Sequence, residues 1–381
     1  MKTYNVIDGY FSKYIHKYFK NKPEWTNSKS KNTTLFHTIN PKTKCKKCDI
    51  YNHLNDVSSI GNKRKLFQNI ENIYGYKPTY LPYTIFFKKS NFDKNRITNE
   101  LKQFKYWIIK PEYSLRQKGI KIIQNINDIE KALENSKYQS WILQRYIHKP
   151  FLYKNKKTHL RVYLYITVEN DTVSGYLYDK GYLYVADYKY NLNDLRSGTQ
   201  LTTSCNNIEY PYILNKLFGY NSYYTIFYPQ IKKIAADIVK ATYKYLNCSS
   251  KLCYNLIALD VIIDKYNKIY LMEANARIIG MAEDDKPGNC LSKNPSLQTP
   301  RFKSDLITNL LDAILYKKKN QLQKIIKINK STNNIKRFKT RHYKQNKICK
   351  SKKGCGSGVC NIWPVALILI VIIMVLKKKL N

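Results

Sequence analysis

Apolar and polar residues alternate with a period of two over residues 158–168 and 174–185. Both stretches are rich in aromatic and β-branched side chains, so they predict β-strands. Residues 101–123 and 141–147 break into short apolar runs separated by turns, which also predicts strands. Between residues 228 and 246 the buried-type positions are Ile231, Ile234, Ala235, Ile238, Val239 and Thr242. That spacing predicts a helix. Residues 309–316 predict a second, shorter one. Residues 259–264 and 269–275 are apolar strands on either side of a polar turn and predict a hairpin. The fold class is therefore α+β, or α/β, with antiparallel sheets. No internal repeat is visible.

The C-terminal pattern is different. Residues 362–376 are apolar almost throughout. Counted from Val359 the run is about 18 residues long, near the lower limit for a membrane-spanning helix. Trp363 stands at one end and Lys377, Lys378 and Lys379 at the other, as interfacial anchors would. The alternative is a buried core strand or helix. The run predicts a transmembrane anchor over residues 359–376, a single-pass membrane localisation, and a catalytic body facing the cytosol. Residues 317–358 are polar and basic, and contain Gly354-Cys355-Gly356-Ser357-Gly358. They predict a flexible tether whose lysines can rest on anionic headgroups. Cys355 and Cys360 are placed for S-acylation. Residues 1–4 carry no apolar run, so no secretory signal peptide is expected.

Composition adds a charge argument. The 381 residues hold 67 Lys+Arg against 26 Asp+Glu, a formal net charge of +41. Such a body attracts an acidic partner. The competing explanation is codon usage, since Lys, Asn, Ile and Tyr are abundant together. No zinc-finger, helix-turn-helix or basic–aromatic cluster points to nucleic acid, so none is expected as a partner. Nine scattered cysteines do not form a disulfide framework and suit a reducing compartment. Cys45 and Cys48 have half-site zinc spacing, with His53 nearby. No second Cys-x-x-Cys completes the set, so no zinc site is expected there.

Candidate chemistry lies in four segments. On the predicted hairpin, Glu273 and Asn275 share a strand face, and Asp260 stands on the neighbouring strand. Three oxygen donors converging in otherwise apolar strands suit Mg²⁺. The alternative is a polar sheet face that ends in a turn. Trp107-Ile108-Ile109-Lys110-Pro111 is a strand that ends in a lysine, followed by a loop and Gly119-Ile120. There Lys110 can reach phosphate oxygens, and Gly119 lets the backbone approach them. Trp141-Ile142-Leu143-Gln144-Arg145-Tyr146-Ile147 is a strand that leads to an extended linker, of the kind that offers backbone groups to an adenine edge. Lys157-Thr158-His159-Leu160-Arg161 places two cations at the opening of a strand.

In order and spacing, these segments resemble the tubulin–tyrosine ligase-like family of the ATP-grasp superfamily. The likeness covers about residues 60–315. The family pattern runs Trp-Ile-x-Lys-Pro, Gly-Ile, Gln-Lys-Tyr-Ile-x-x-Pro, Lys-Phe-Asp-Leu-Arg, and Asp-x-x-x-Asp followed by Leu-x-Glu-x-Asn. The resemblance implies two α+β lobes with antiparallel sheets gripping ATP. The expected divisions are an N-terminal lobe over 1–100, a central lobe over 101–170 and a C-terminal lobe over 171–316. It implies ATP and Mg²⁺ as cofactors. Lys65 and Lys110 would hold phosphates. Gln144, Arg145 and Ile147 would face adenine, and Lys157 and His159 would lie along the nucleotide. Arg161 would face the reacting carboxylate or the transferred phosphate. Asp260, Glu273 and Asn275 would bind Mg²⁺.

Three positions depart from the family pattern. His159 replaces an aspartate, Tyr184 an arginine, and Gln200-Leu201-Thr202-Thr203 a His-Leu-Thr-Asn run. Arg277 adds a cation two residues beyond Asn275, where it can clamp a carboxylate. The implied reaction is carboxylate–amine ligation, with Arg161, Glu273 and Arg277 as catalytic residues. The acceptor would be an acidic protein or peptide tail. The alternatives are a small carboxylate and amine, or a degenerate ATP-binding protein on a membrane.

Overall fold

The computed structural model describes residues 1–7, 11–38, 43, 45, 47–114, 119–134, 136–202, 208–276, 298–318 and 321–332. Arg277 and residues 359–376 lie outside them, as do residues 319–320 and 333–358 of the expected tether; the start of that tether is instead ordered, since Leu322–Asn329 forms a strand paired with Thr172–Tyr178. Strands are numbered here in chain order.

The N-terminal strands are β1 (Lys2–Val6), β2 (Trp25–Asn27), β3 (Asn32–His37) and β4 (Lys47–Tyr51). They pair with one another in parallel, whereas only antiparallel sheets were expected. The helix Ser12–Lys20 covers them, burying Ile15 and Phe19.

Next comes a separate four-stranded antiparallel sheet. Its strands are β5 (Thr84–Lys88), β6 (Trp107–Pro111), β7 (Lys121–Ile123) and β8 (Ser140–Arg145), in the order β5-β8-β6-β7. Trp107, Ile109, Trp141 and Leu143 point from alternate positions into one core with Ile97 and Ile129 of the covering helices.

The large sheet is built on two 14-residue strands, β10 (Lys156–Glu169) and β11 (Thr172–Val185), with the short β9 (Leu152–Tyr153) paired to β10. β12 (Ile208–Ile213), β13 (Leu252–Ile263), β14 (Ile269–Asn275) and β15 (Leu322–Asn329) complete it. β10 runs antiparallel between β11 and β13, and β14 pairs antiparallel with β13. β4 joins the start of β13 in parallel through only Leu252 and Cys253. Sheet membership thus crosses positions 100 and 170: β5 sits with β6–β8, and β10 with β11–β15.

One face of the large sheet carries Leu160, Val162, Leu164 and Ile166 of β10, with Ile257, Leu259 and Val261 of β13. The predicted helix at Tyr228–Thr242 packs there, together with Lys63–Tyr74. The opposite face buries Tyr163, Tyr165 and Tyr182 against the helix Gln298–Tyr316. Gly181 sits where β11 crosses Arg161 of β10. A Cβ there would stand 2.6 Å from the Arg161 carbonyl oxygen, so backbone would have to move. Gly181→Ala is expected to destabilise the fold by about 1–3 kcal/mol, read as a lowered urea midpoint.

The expected membrane localisation needs correction. Among the described residues no helix is long and apolar enough to cross a membrane. The longest of them, the 19-residue helix Gln298–Tyr316, uses its charges for docking. Asp305 pairs with Lys180 at 3.2 Å, and Asp312 accepts from the Tyr18 hydroxyl at 2.6 Å.

Candidate functional site

The register of β10, β13 and β14 places Arg161 opposite Asp260 and Asp260 opposite Glu273. A bulge makes this possible. Core-facing residues on β14 are Ile269 and Leu271, then Ala274 rather than residue 273. The register slips between Asp260 and Val261, leaving Met272 as the extra residue. Strict alternation would drive Glu273 into the apolar core; the bulge turns it to the side of Asp260.

The three predicted metal-binding side chains do come together. Asn275 Nδ2 donates to Asp260 Oδ2 at 3.1 Å and to Glu273 Oε1 at 3.2 Å. Cations hold both carboxylates. Arg161 donates to Asp260 through two parallel bonds, from Nε at 2.7 Å and Nη2 at 2.8 Å. Lys63 Nζ lies 2.6 Å from Glu273 Oε2. Burial raises the Asp260 carboxyl and Arg161 opposes that rise. For Glu273 burial acts upward too, but Lys63 and Lys110 outweigh it and hold the carboxyl well below its ordinary range. Two carboxylates and an amide oxygen on one short stretch of sheet are a donor set that fits a hard divalent cation.

Lys63 was not foreseen; Lys65 was. In the structure Lys65 Nζ faces the Ser58 hydroxyl at 3.4 Å on an exposed edge. The reason is helix phase. Asn62 caps the helix Lys63–Tyr74 by accepting from the Lys65 backbone N–H, so Lys63 occupies the first helical position beside the end of β14. The Asn62 cap was the available signal.

Lys110 is buried, and its Nζ donates to Gln144 Oε1 at 3.0 Å. Burial first, then Lys63, lower its pKa from 10.5 to about 8; Glu273 and Asp260 act the other way. Gln144 also donates to Thr84 Oγ1 at 2.9 Å. Its side chain therefore positions Lys110 across the small sheet. The Arg145 backbone N–H donates to Tyr83 O at 2.8 Å, and its guanidinium lies over Phe104. Ile147 is buried with Ile262 and Tyr270. Gly119 has φ +78°, and a Cβ there would stand 2.8 Å from Pro111 Cγ. That conformation and that contact both require glycine.

Lys157 is buried, donates to the Tyr146 hydroxyl at 2.6 Å and lies 4.1 Å from the Tyr146 ring centre. Burial lowers its pKa from 10.5 to about 7. The Tyr146 hydroxyl in turn donates to Gln200. His159 stacks on Tyr184 with ring centres 4.7 Å apart, and its Nδ1 is 2.5 Å from Thr202 Oγ1. Burial, then Arg161, lower its pKa to about 3, so the ring is neutral. Tyr184 also hydrogen-bonds Arg161 Nη1 at 3.2 Å. The departures His159 and Tyr184 thus form one connected wall with Thr202 beside Arg161.

Residues 42–218 match the model described as the tubulin-tyrosine ligase family. That segment contains Lys110, Gly119, Gln144, Arg145, Ile147, Lys157, His159 and Arg161; Asp260, Glu273 and Asn275 follow it. A tubulin monoglutamylase of Mus musculus is 25% identical over 257 residues, covering 59% of this chain and 21% of the relative. A tubulin glycylase of Drosophila melanogaster is 33% identical over 98 residues, 26% of this chain and 13% of the relative. A tubulin polyglutamylase of Mus musculus is 25% identical over 267 residues, 59% of this chain and 28% of the relative. The chain therefore spans about a fifth of the length of the first of these relatives. Over residues 42–218 the chain is thus similar to the tubulin-tyrosine ligase family.

Proposed function

We propose that this chain is an ATP- and Mg²⁺-dependent carboxylate–amine ligase that adds an amino acid to an acidic protein or peptide tail. One observation carries the reading. Lys63, Lys110 and Arg161 surround a network of Asp260, Glu273 and Asn275 at the junction of the two sheets. Such a site is rich in positioned cations and oxygen donors, as phosphoryl transfer requires.

Bound at Asp260, Glu273 and Asn275, Mg²⁺ would neutralise charge on the β- and γ-phosphates. Lys110 and Lys157 would bind phosphate oxygens from the small sheet and from the start of β10. Arg161 would orient the acceptor carboxylate for in-line attack. A carboxylate oxygen bonds to the γ-phosphorus as the bond to ADP breaks. The amine nitrogen then bonds to the acyl carbon, phosphate leaves with the C–O electron pair, and the amine gives up a proton. No side-chain nucleophile is needed. The acidic-tail preference draws on the net charge of +41 and on relatives named for tubulin glutamylation and glycylation.

The test is ATP-dependent transfer of labelled glutamate or glycine. Label is expected in a Glu-rich peptide, stimulated by Mg²⁺. Label found only in a small free product would replace the protein acceptor with a small-molecule one. Absence of any ATP-dependent product would end the ligase reading.

Lys157 yields a second expectation. In the free protein it is mostly neutral above pH 7, whereas bound polyphosphate favours the charged form. ATP binding at pH 8 should therefore take up close to one proton at Lys157 and about half of one at Lys110, seen as a calorimetric enthalpy that varies with buffer ionisation enthalpy; Lys157→Met should remove the larger share of the uptake. The linkage to stability has a definite sign. Between pH 7 and 10.5 the unfolded chain holds this proton and the folded chain does not. The contribution of Lys157 to stability therefore rises with pH across that window.

A further inference from the structure

Cys45, Cys48, Cys248 and Cys253 are all the cysteines among the described residues, and they gather at one place. The structure pairs them as Cys45–Cys48 and Cys248–Cys253, against the expectation of free thiols. Ser250 touches both pairs. Its hydroxyl lies 3.2 Å from Cys48 Sγ and 3.6 Å from Cys45 Sγ, and its backbone N–H donates to Cys248 Sγ at 3.3 Å. The four sulfurs thus lie around a single small residue.

The location gives the cluster a purpose. β4 and β13 meet through a short parallel register, Leu252 with Ile50 and Cys253 with Tyr51. That junction attaches the N-terminal strands to the sheet that carries Asp260. The two disulfides close loops with sequence separations of only 3 and 5, so each stays within its own segment and neither ties the segments together. One ion held by all four sulfurs would tie them, across some 200 residues of chain.

We propose that the reduced form of this cluster is a structural Cys₄ zinc site that staples β4 to β13. Zinc takes four thiolates tetrahedrally at about 2.3 Å, from two pairs on separate segments. Ser250 supplies N–H and O–H donors to the sulfurs, as the surroundings of thiolate–metal centres do. Lys47, exposed and next to Cys48 in the chain, adds a positive charge near the dianionic centre, whereas Lys251 pairs with Asp49 at 2.8 Å. Among the described residues no group of three or more His, Cys, Asp or Glu side chains is arranged to hold an ion; thiolates rather than disulfide sulfurs ligate zinc, so binding requires reduction and regrouping of the four sulfurs. Each Cys–Cys bond takes up two electrons and two protons from one dithiol reductant, which leaves as its own cyclic disulfide. Zn²⁺ then displaces the four thiol protons. The site is independent of the ligase reading.

The full chain is purified with a dithiol reductant and its metal content measured. Zinc close to one per chain is expected, falling to about a tenth or less in Cys48→Ser and Cys248→Ser and unchanged in Cys355→Ser. Ser250→Ala should weaken zinc affinity about tenfold. The unmodified chain loaded with Co²⁺ should show thiolate-to-metal charge transfer and the intense visible bands of a tetrahedral centre, a readout that does not depend on a variant's folding. Metal-free protein with no such cobalt spectrum would overturn the proposal in favour of a dithiol–disulfide pair. Zinc that persists in both Cys48→Ser and Cys248→Ser would overturn it too.

Discussion

Replacing Glu273 by glutamine is expected to lower ATP-dependent turnover at least about a hundredfold, the scale seen when one positioned charge-stabilising group is lost. The substitution is nearly isosteric, so the bulge at Met272 and the pairing of β14 with β13 should persist. What disappears is one of the two carboxylate charges in the network with Asp260 and Asn275, and the partner of Lys63 at 2.6 Å. The loss should fall on turnover more than on folding, because Glu273 and Lys63 are both partly exposed. Steady-state kinetics over a Mg²⁺ titration check it. A variant with unchanged turnover at every Mg²⁺ concentration would remove Glu273 from the metal site.

Arg161→Ala should have the larger structural effect. It strips a buried carboxylate of a two-bond partner, and breaking such a pair from one side costs about 3–5 kcal/mol. Side-chain exposures of 13% for Arg161 and 9% for Asp260 place this pair in that class rather than among surface pairs. The urea midpoint should fall accordingly. Arg161→Ala combined with Asp260→Ala should recover part of the loss, since the orphaned charge is gone. Arg161→Lys keeps the charge but not the planar fork, so its stability should lie between those of the wild type and the alanine variant. If the two single substitutions add without recovery, Arg161 and Asp260 are not energetically coupled.

Much of this site could be read from residue pattern. Asp260, Glu273 and Asn275 stood out because strand alternation puts Glu273 and Asn275 on one face, and acidic residues in apolar strands are conspicuous in so basic a chain. Lys110 was legible as the polar end of an apolar strand. The bulge was not legible: one extra residue changes the face of a strand without changing its composition. Lys63 was missed for a similar reason, since choosing between Lys63 and Lys65 depends on where Asn62 starts the helix. Parallel pairing of β1–β4 left no local mark, because short strands joined through distant partners look alike in either direction. The second cysteine pair escaped notice because it has a spacing of five rather than three and lies some 200 residues from the first.

The most direct test of carboxylate activation by ATP uses oxygen as a tracer. A Glu-rich acceptor peptide labelled with ¹⁸O in its side-chain carboxylates is incubated with the protein, Mg·ATP and the amino acid substrate, and the released phosphate is weighed by mass spectrometry. Activation at Arg161, Asp260, Glu273 and Asn275 predicts one ¹⁸O in each phosphate released. Phosphate that carries only unlabelled oxygen, while product still forms, would contradict it.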